Sequence, residues 1–383
     1  MKVTVVGAGM VGSTTALRLL DGRIADSLAV IDVVEGLAKA VALDLAQSAP
    51  LRGHSIDVTG GSDYAPTEGS DLVIITAGLP RKPGQSRADL LQTNAEIVGG
   101  VVEETAWRSP GAILLIVTNP LDEMTTLASQ VSGFPRERVI GMAGALDTAR
   151  FRYFVAAELG TAPDRVDAIV LGSHGETMVP LPRLTRAGGR PLPDLLPPER
   201  IAALVEQTRD AGAEIVALLP RGSAWMAPSA AIADMARAVA RNERRVVSAC
   251  ARLDGEYGLS GMFLGVPVRL GRCGVEEIVE LRLLDDELTL LRTAAETVRA
   301  RAAELNGGFG LGQDGSRAVA DPPGAAGRGT SRAESAMPQS LRAIRTESRV
   351  RQAVGQVLWQ RGRPSAQDIE NLTRAVIERI GSG

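Results

Sequence analysis

The chain has 383 residues, 45% of them apolar and 23% charged, and a formal net charge of −3. That length exceeds one ordinary domain and fits two with an appendage, while charge so close to neutral excludes nucleic acid as a main partner. No apolar run reaches the ~18 residues of a membrane span, no signal-peptide pattern opens the chain, and Cys250 and Cys273 are too far apart in sequence for a disulfide framework or a metal site. A cytoplasmic protein with no metal is expected.

The β-branched run over 3–6 reads as a buried strand. It leads into Gly7-Ala8-Gly9-Met10-Val11-Gly12 and a helix to about residue 20. In such a loop Gly7 permits the strand-to-helix turn, Gly9 lets the backbone approach a pyrophosphate, and Gly12 allows close packing of helix on strand. The helix N-terminus adds free N–H groups and a positive dipole end. A second strand, 28–31, ends on Asp32 at the spacing of a ribose-binding acid. A carboxylate there accepts hydrogen bonds from ribose and repels a 2′-phosphate, which favours NAD over NADP; a solvated strand-end acid is the plainer alternative. Apolar strands at 72–76, 113–117 and 139–141, separated by helices, complete a parallel sheet covered on both faces.

Two loops of this half carry candidate chemistry. Residues 78–87 hold two prolines, two glycines and the cations Arg81, Lys82 and Arg87, a composition that fits a lid over an anionic substrate and equally a solvated loop. Asn119 follows the strand 113–117 on the ligand-bearing edge of the sheet, or is an ordinary turn residue before proline.

From about residue 146 the pattern changes to a helix over 147–159, a strand over 167–171 and helices near 198–219 and 229–240. Strands at 246–251, 262–270 and 278–283 follow in antiparallel fashion, then a helix over 285–305 capped by Asp285. The fold class is therefore α/β: an N-terminal Rossmann-type parallel sheet over 1–145 and a C-terminal α+β substrate domain over 146–305. Residues 306–333 have the composition of a flexible linker. Within 334–383, apolar stripes at Val350, Ala353, Val354, Val357 and Leu358, and at Ile369, Leu372, Val376, Ile377 and Ile380, predict two short amphipathic helices.

His174 is one of only two histidines, set between Gly172 and Gly175 directly after a strand; His54, the other, lies in a polar stretch. A lone histidine is more often structural than catalytic. Asp147 and Arg150, one helical turn apart, offer an acid to orient it and a cation to hold an anionic substrate. Sequence spacing leaves their contact open.

Taken in order, GAGMVG, ITAGLPRKPGQSRADLL (75–91), VTNPLDEMT (117–125), GMAGALDTARFR (141–152), LGSHGETMVPLPR (171–183) and GSAWMAPSAA (222–231) resemble the lactate/malate dehydrogenase superfamily. Within it the match is to the lactate-dehydrogenase-like malate dehydrogenases of bacteria, over residues 1–305. The resemblance implies NAD-dependent, reversible oxidation of (S)-malate to oxaloacetate, with His174 as proton acceptor and Asp147 its orienting partner. It implies that Arg150 pairs with the C1 carboxylate, Arg87 polarises the C2 oxygen, Asn119 binds substrate beside the nicotinamide, and Arg81 selects a second carboxylate. Lactate dehydrogenases carry glutamine at the Arg81 position, so a lactate or other 2-hydroxyacid dehydrogenase is the alternative. Gly7, Gly9, Met10, Val11, Gly12, Asp32, Asn94, Val117 and Asn119 would contact NAD. A homodimer or homotetramer in the cytoplasm is implied.

Three departures stand out: Ser173 where the family has Gly, Glu176 where it has Asp, and the segment 306–383, which it normally lacks. The tail's two stripes call for a protein partner or a second copy, and weakly resemble the tethered helices that send enzymes into protein-shelled compartments; a dispensable extension is the alternative.

Overall fold

Strand β1 (Lys2–Val6) is buried on both faces from Val3 onward, as β-branched residues in the middle of a parallel sheet must be. The computed structural model describes residues 1–53, 56–80, 87–220 and 222–309, together with Arg374. After β1 come α1 (Met10–Asp21), β2 (Ser27–Ile31), α2 (Glu35–Arg52), β3 (Asp57–Gly61), β4 (Leu72–Ile75), α3 (Arg87–Arg108), β5 (Ile113–Ile116), α4 (Leu121–Ser132) and β6 (Val139–Gly141). Each strand of this half pairs in parallel with its neighbours in the order β3-β2-β1-β4-β5-β6. That is the doubly wound order in which ligands sit beyond the carboxyl ends of the strands, where the winding reverses beside β1.

The second half begins with α5 (Ala143–Leu159), four residues earlier than its sequence pattern suggested. The strand expected over 167–171 is two strands, β7 (Val166–Asp167) and β8 (Val170–Gly172), which belong to different sheets. Next are β9 (Met178–Pro180), β10 (Arg186–Ala187), β11 (Arg190–Pro191), α6 (Pro198–Leu218), α7 (Met226–Ala240), β12 (Arg245–Asp254), β13 (Ser260–Gly271) and β14 (Gly274–Ile278). The strand expected at 278–283 is thus β14, lying earlier, because Gly274 at φ +97° turns the chain straight back onto β13. Helix α8 (Asp285–Phe309) outlasts the expected stop at residue 305, its buried Leu305 still packed in the core. Asp285 is its first helical residue rather than its cap; the free N–H of Leu284 is taken by the Glu287 carboxylate at 2.9 Å, an acid three residues on reaching back to the entrance of the helix.

Strands β12, β13, β8 and β9 extend the parallel sheet antiparallel from β6, and with β14 paired on β13 one eleven-stranded sheet runs through both halves among the described residues. Cys250 of β12 pairs with Gly141 of β6, and Gly265 of β13 with Gly172 of β8. A continuous apolar core follows this sheet from Val3 and Leu115 to Ala249 and Leu264. Helix α1 meets α7 across the halves, where the Arg18 Nε–H donates to the Ser229 hydroxyl at 3.0 Å. No helix among the described residues is long and apolar enough to cross a membrane. The expected linker beyond Phe309, the tail helices, His54, Arg81 and Lys82 lie outside the described residues, apart from Arg374 within the second expected tail helix.

Candidate active site

The loop between β1 and α1 is shaped by what glycine lacks. Gly7 has φ +103°, and a Cβ there would stand 2.6 Å from the Thr76 hydroxyl. A Cβ on Gly12 would come within 1.8 Å of the Gly7 carbonyl oxygen, so the first turn of α1 sits directly on the loop. At Gly9, by contrast, a Cβ would meet nothing within 4 Å. Gly9 is the N-cap of α1, which has no side-chain cap and no acid in its first turn. Free N–H groups, a positive dipole end and open space together fit a diphosphate. Met10 is exposed at the same place, with Val11 half-buried behind it.

Asp32, half-buried at the end of β2, accepts the Ala8 N–H at 2.6 Å and the Val34 N–H at 2.9 Å. It therefore braces the glycine loop, and the lone pairs these bonds leave suit ribose hydroxyls. These features fit a dinucleotide such as NAD.

Asn94 holds two loops of this edge together. Its side chain is 1% exposed and its amide is committed to main chain: Nδ2 donates to the carbonyls of Asn119 (2.6 Å) and Leu79 (3.1 Å), and Oδ1 accepts the Leu79 N–H at 2.8 Å. It ties the loop after β4 to the loop after β5. Between them, a Cβ on Gly78 would strike the Thr118 methyl at 2.4 Å. Asn119 itself is exposed on the ligand edge, and Val117 is half-buried. Arg87 is the first residue of α3.

His174, Asp147 and Arg150 do meet. The turn carrying His174 is tight: Gly172 has φ +84°, Gly175 has φ +134°, and the Ser173 and Thr177 hydroxyls bond across it. The His174 Nδ1 lies 3.0 Å from the Asp147 Oδ2, and Arg150 approaches the other Asp147 oxygen at 3.7 Å. Asp147 is 2% exposed, whereas the histidine side chain keeps 20%. Burial alone would lower the His174 pKa. The charge of Asp147, its hydrogen bond and the more distant Asp122 outweigh burial and the opposing Arg150, lifting the pKa above its ordinary value. A carboxylate on Nδ1 fixes the tautomer and leaves Nε2 to exchange a proton with a ligand. Glu176 is exposed, so its extra methylene is not packed into the buried side of the turn.

Two contributors escaped the sequence reading. Gly212 on α6 faces Arg150: a Cβ there would stand in ordinary contact, 3.6 Å from the guanidinium, so any longer side chain would crowd it; nothing local marks a glycine inside a helix as a neighbour of a distant arginine. Asp122, on α4, accepts the main-chain N–H of His174 at 2.9 Å. Its signal was available, since an acid three residues past a ligand-edge asparagine falls in the first turn of the next helix.

A doubly wound sheet with a diphosphate-accepting loop, a ribose-side acid and a carboxylate-bound histidine beside an arginine defines a dinucleotide-dependent oxidoreductase. The comparisons with known proteins agree. Residues 1–141 match the lactate/malate dehydrogenase NAD binding domain, and residues 144–306 match the lactate/malate dehydrogenase alpha/beta C-terminal domain. The chain belongs to the lactate/malate dehydrogenase family. It is 50% identical over 305 residues to the malate dehydrogenase of Salinibacter ruber, covering 80% of this chain and 97% of that one. The solved structure of a malate dehydrogenase from the same organism superposes with a TM-score of 0.77 at 48% identity, over 80% of this chain and 98% of that one. A lactate dehydrogenase from Cryptosporidium parvum, solved with lactic acid and nicotinamide adenine dinucleotide, gives a TM-score of 0.77 at 38% identity, over 80% and 98% of the two chains.

Proposed function

We propose that the chain catalyses the NAD-dependent, reversible oxidation of (S)-malate to oxaloacetate, with residues 1–145 carrying the cofactor and 146–305 the substrate. The observation that carries this reading is the 3.0 Å bond between His174 and the buried Asp147, with Arg150 on the same carboxyl. Bound NAD supplies the hydride acceptor. Gly7, Gly9, Met10, Val11 and Gly12 receive its diphosphate, Asp32 its ribose, and Val117 and Asn119 its nicotinamide end, while Asn94 acts by holding their loops in register. Arg150 pairs with the C1 carboxylate of malate. Neutral His174 takes the C2 hydroxyl proton on Nε2 as the C2 hydride leaves, and the resulting imidazolium is neutralised by Asp147. In the reverse direction His174 begins protonated. Arg87 polarises the C2 oxygen, and Arg81 receives the second carboxylate.

Arg81 sets malate above lactate, because the fold is shared with a lactate dehydrogenase and only a cation at that position matches a dicarboxylate. Following NADH absorbance with oxaloacetate, with pyruvate and with neither tests the substrate directly; turnover of pyruvate alone would refute it. His174→Asn abolishes turnover while NADH binding survives. Arg81→Gln moves the ratio of kcat/KM values from oxaloacetate towards pyruvate, and an unchanged ratio would remove Arg81 as selector.

The body forms a homodimer or homotetramer in the cytoplasm, which light scattering checks. The extension past Phe309 docks a protein partner, a shell protein among the classes to be tried. Truncation after Phe309 should leave kinetics unchanged and alter assembly or partner binding; collapse of activity would place the extension in the catalytic body.

A further inference from the structure

Asp122 is the second residue of α4 and 3% exposed, and the reaction as proposed gives it no part. A carboxylate buried that deeply is costly unless something holds it. One oxygen accepts the His174 N–H at 2.9 Å, and the carboxyl also takes a hydrogen bond from the Cys250 thiol. The bond spans 52 positions of sequence and joins the helix that follows Asn119 to the histidine turn. An acid serving only the α4 dipole could do so from the solvent side; this one is buried instead against the catalytic turn.

The charges around His174 explain what it could add. Asp147 and Arg150 face the ring from α5, and Asp122 faces it from α4. Until a substrate carboxylate pairs with Arg150, protonation of His174 puts two cations beside one anion, Asp147. Asp122 in its ionised form restores balance: burial, and after it the Asp147 charge, raise its pKa, while the His174 N–H, the Cys250 thiol and the charge of a protonated His174 oppose that rise. Around Asp122, the Cys250 thiol of β12 keeps its proton firmly, first through burial and then through the Asp122 charge. Glu123 follows on α4 and is itself faced by Arg301 and Glu304 of α8.

We propose that Asp122 is a positioning residue for His174: it fixes the histidine's main chain through the N–H and, with Asp147, forms a two-carboxylate seat for the imidazolium. The proposal rests on the reading of His174 as the proton acceptor. Loss of the Asp122 charge should then weaken proton holding at His174 without touching the cofactor loop.

Asp122→Asn removes the charge and keeps an oxygen for the N–H; Asp122→Ala removes both. Because the chain has only two histidines, NMR of selectively labelled histidine follows His174 against His54 alone. In Asp122→Asn the His174 titration midpoint should fall by about one pH unit. Oxaloacetate reduction at a pH above both midpoints should then fall about tenfold, following the protonated fraction, with the Kd for NADH unchanged. Asp122→Ala should lose more, through a ring that is no longer held. An unshifted midpoint with an unchanged pH–rate profile in Asp122→Asn would overturn the proposal. If Asp122→Asn does not fold, Asp122→Ser carries the same expectation; failure of both to fold would assign Asp122 to the core and overturn it too. Should the parent protein fail to turn over malate or oxaloacetate, the activity reading falls, and the NMR midpoints still decide the role of Asp122.

Discussion

Glu123→Gln offers a test of the electrostatics beneath the site that needs no substrate. The Glu123 side chain is 3% exposed. Burial, reinforced by the neighbouring Asp122, raises its pKa from 4.5 to about 7, although Arg301 at 4.0 Å pulls the other way. The folded state thus holds a proton that the unfolded chain has released between pH 4.5 and about 7. Stability must fall as pH rises through that window. At ~1.4 kcal/mol per pH unit, the loss comes to about 3 kcal/mol and is complete above pH 8. Glutamine stays neutral throughout and escapes this loss. The difference in unfolding free energy between Glu123→Gln and the parent should therefore shift by about 3 kcal/mol in the variant's favour from pH 4.5 to 8.5. Urea unfolding followed by circular dichroism at several pH values measures it, and constant packing effects of the substitution cancel in the comparison. Parallel stability curves, or a variant that loses ground at high pH, would show that the Arg301 ion pair outweighs burial and refute the reasoning.

Other outcomes follow from the same structure. Malate oxidation should rise with pH through a midpoint above the ordinary histidine value of 6.5, and oxaloacetate reduction should fall through the same midpoint; Asp147→Asn should lower that midpoint in both profiles. Gly12→Ala places a Cβ 1.8 Å from the Gly7 carbonyl oxygen, so NADH affinity should drop at least about tenfold by fluorescence titration. Gly212→Leu crowds the Arg150 guanidinium, which lies 3.6 Å from even a first carbon at that position. The KM for oxaloacetate should climb about tenfold while the Kd for NADH holds.

Sequence carries this fold wherever local signals are strong. The runs at β4 and β5 are unbroken apolar strands, β1 is β-branched from Val3 to Val6, and the glycine loop announces its turn chemically. Strand β3, Asp57–Gly61, was missed because its polar and glycine residues carry no apolar alternation; it forms by pairing in register with β2. The single strand expected over 167–171 fails for a related reason. Its residues are suitably apolar, and nothing local reveals that β7 joins β10 while β8 joins β13. In the site, residue types pointed to His174, Asp147 and Arg150, and the three do meet. Of the neighbours that shape them, Asp122 was legible as an acid in the first turn after Asn119, though not its bond to His174, whereas Gly212 depends on how α6 packs, which no spacing along the chain encodes.

The large sheet passes from the parallel strands to the antiparallel ones through one register pair, Cys250 with Gly141. Its two parts are stiff plates joined by a single rung, and the His174 turn grips α4 close beside that rung. A plate stiffened by ligand at the glycine loop has little ladder through which to stiffen the other. Rigidity must cross instead through side chains such as the Arg18–Ser229 bond, so the mechanical link between cofactor and substrate halves is carried by packing that can be tuned one residue at a time, leaving the backbone ladder intact.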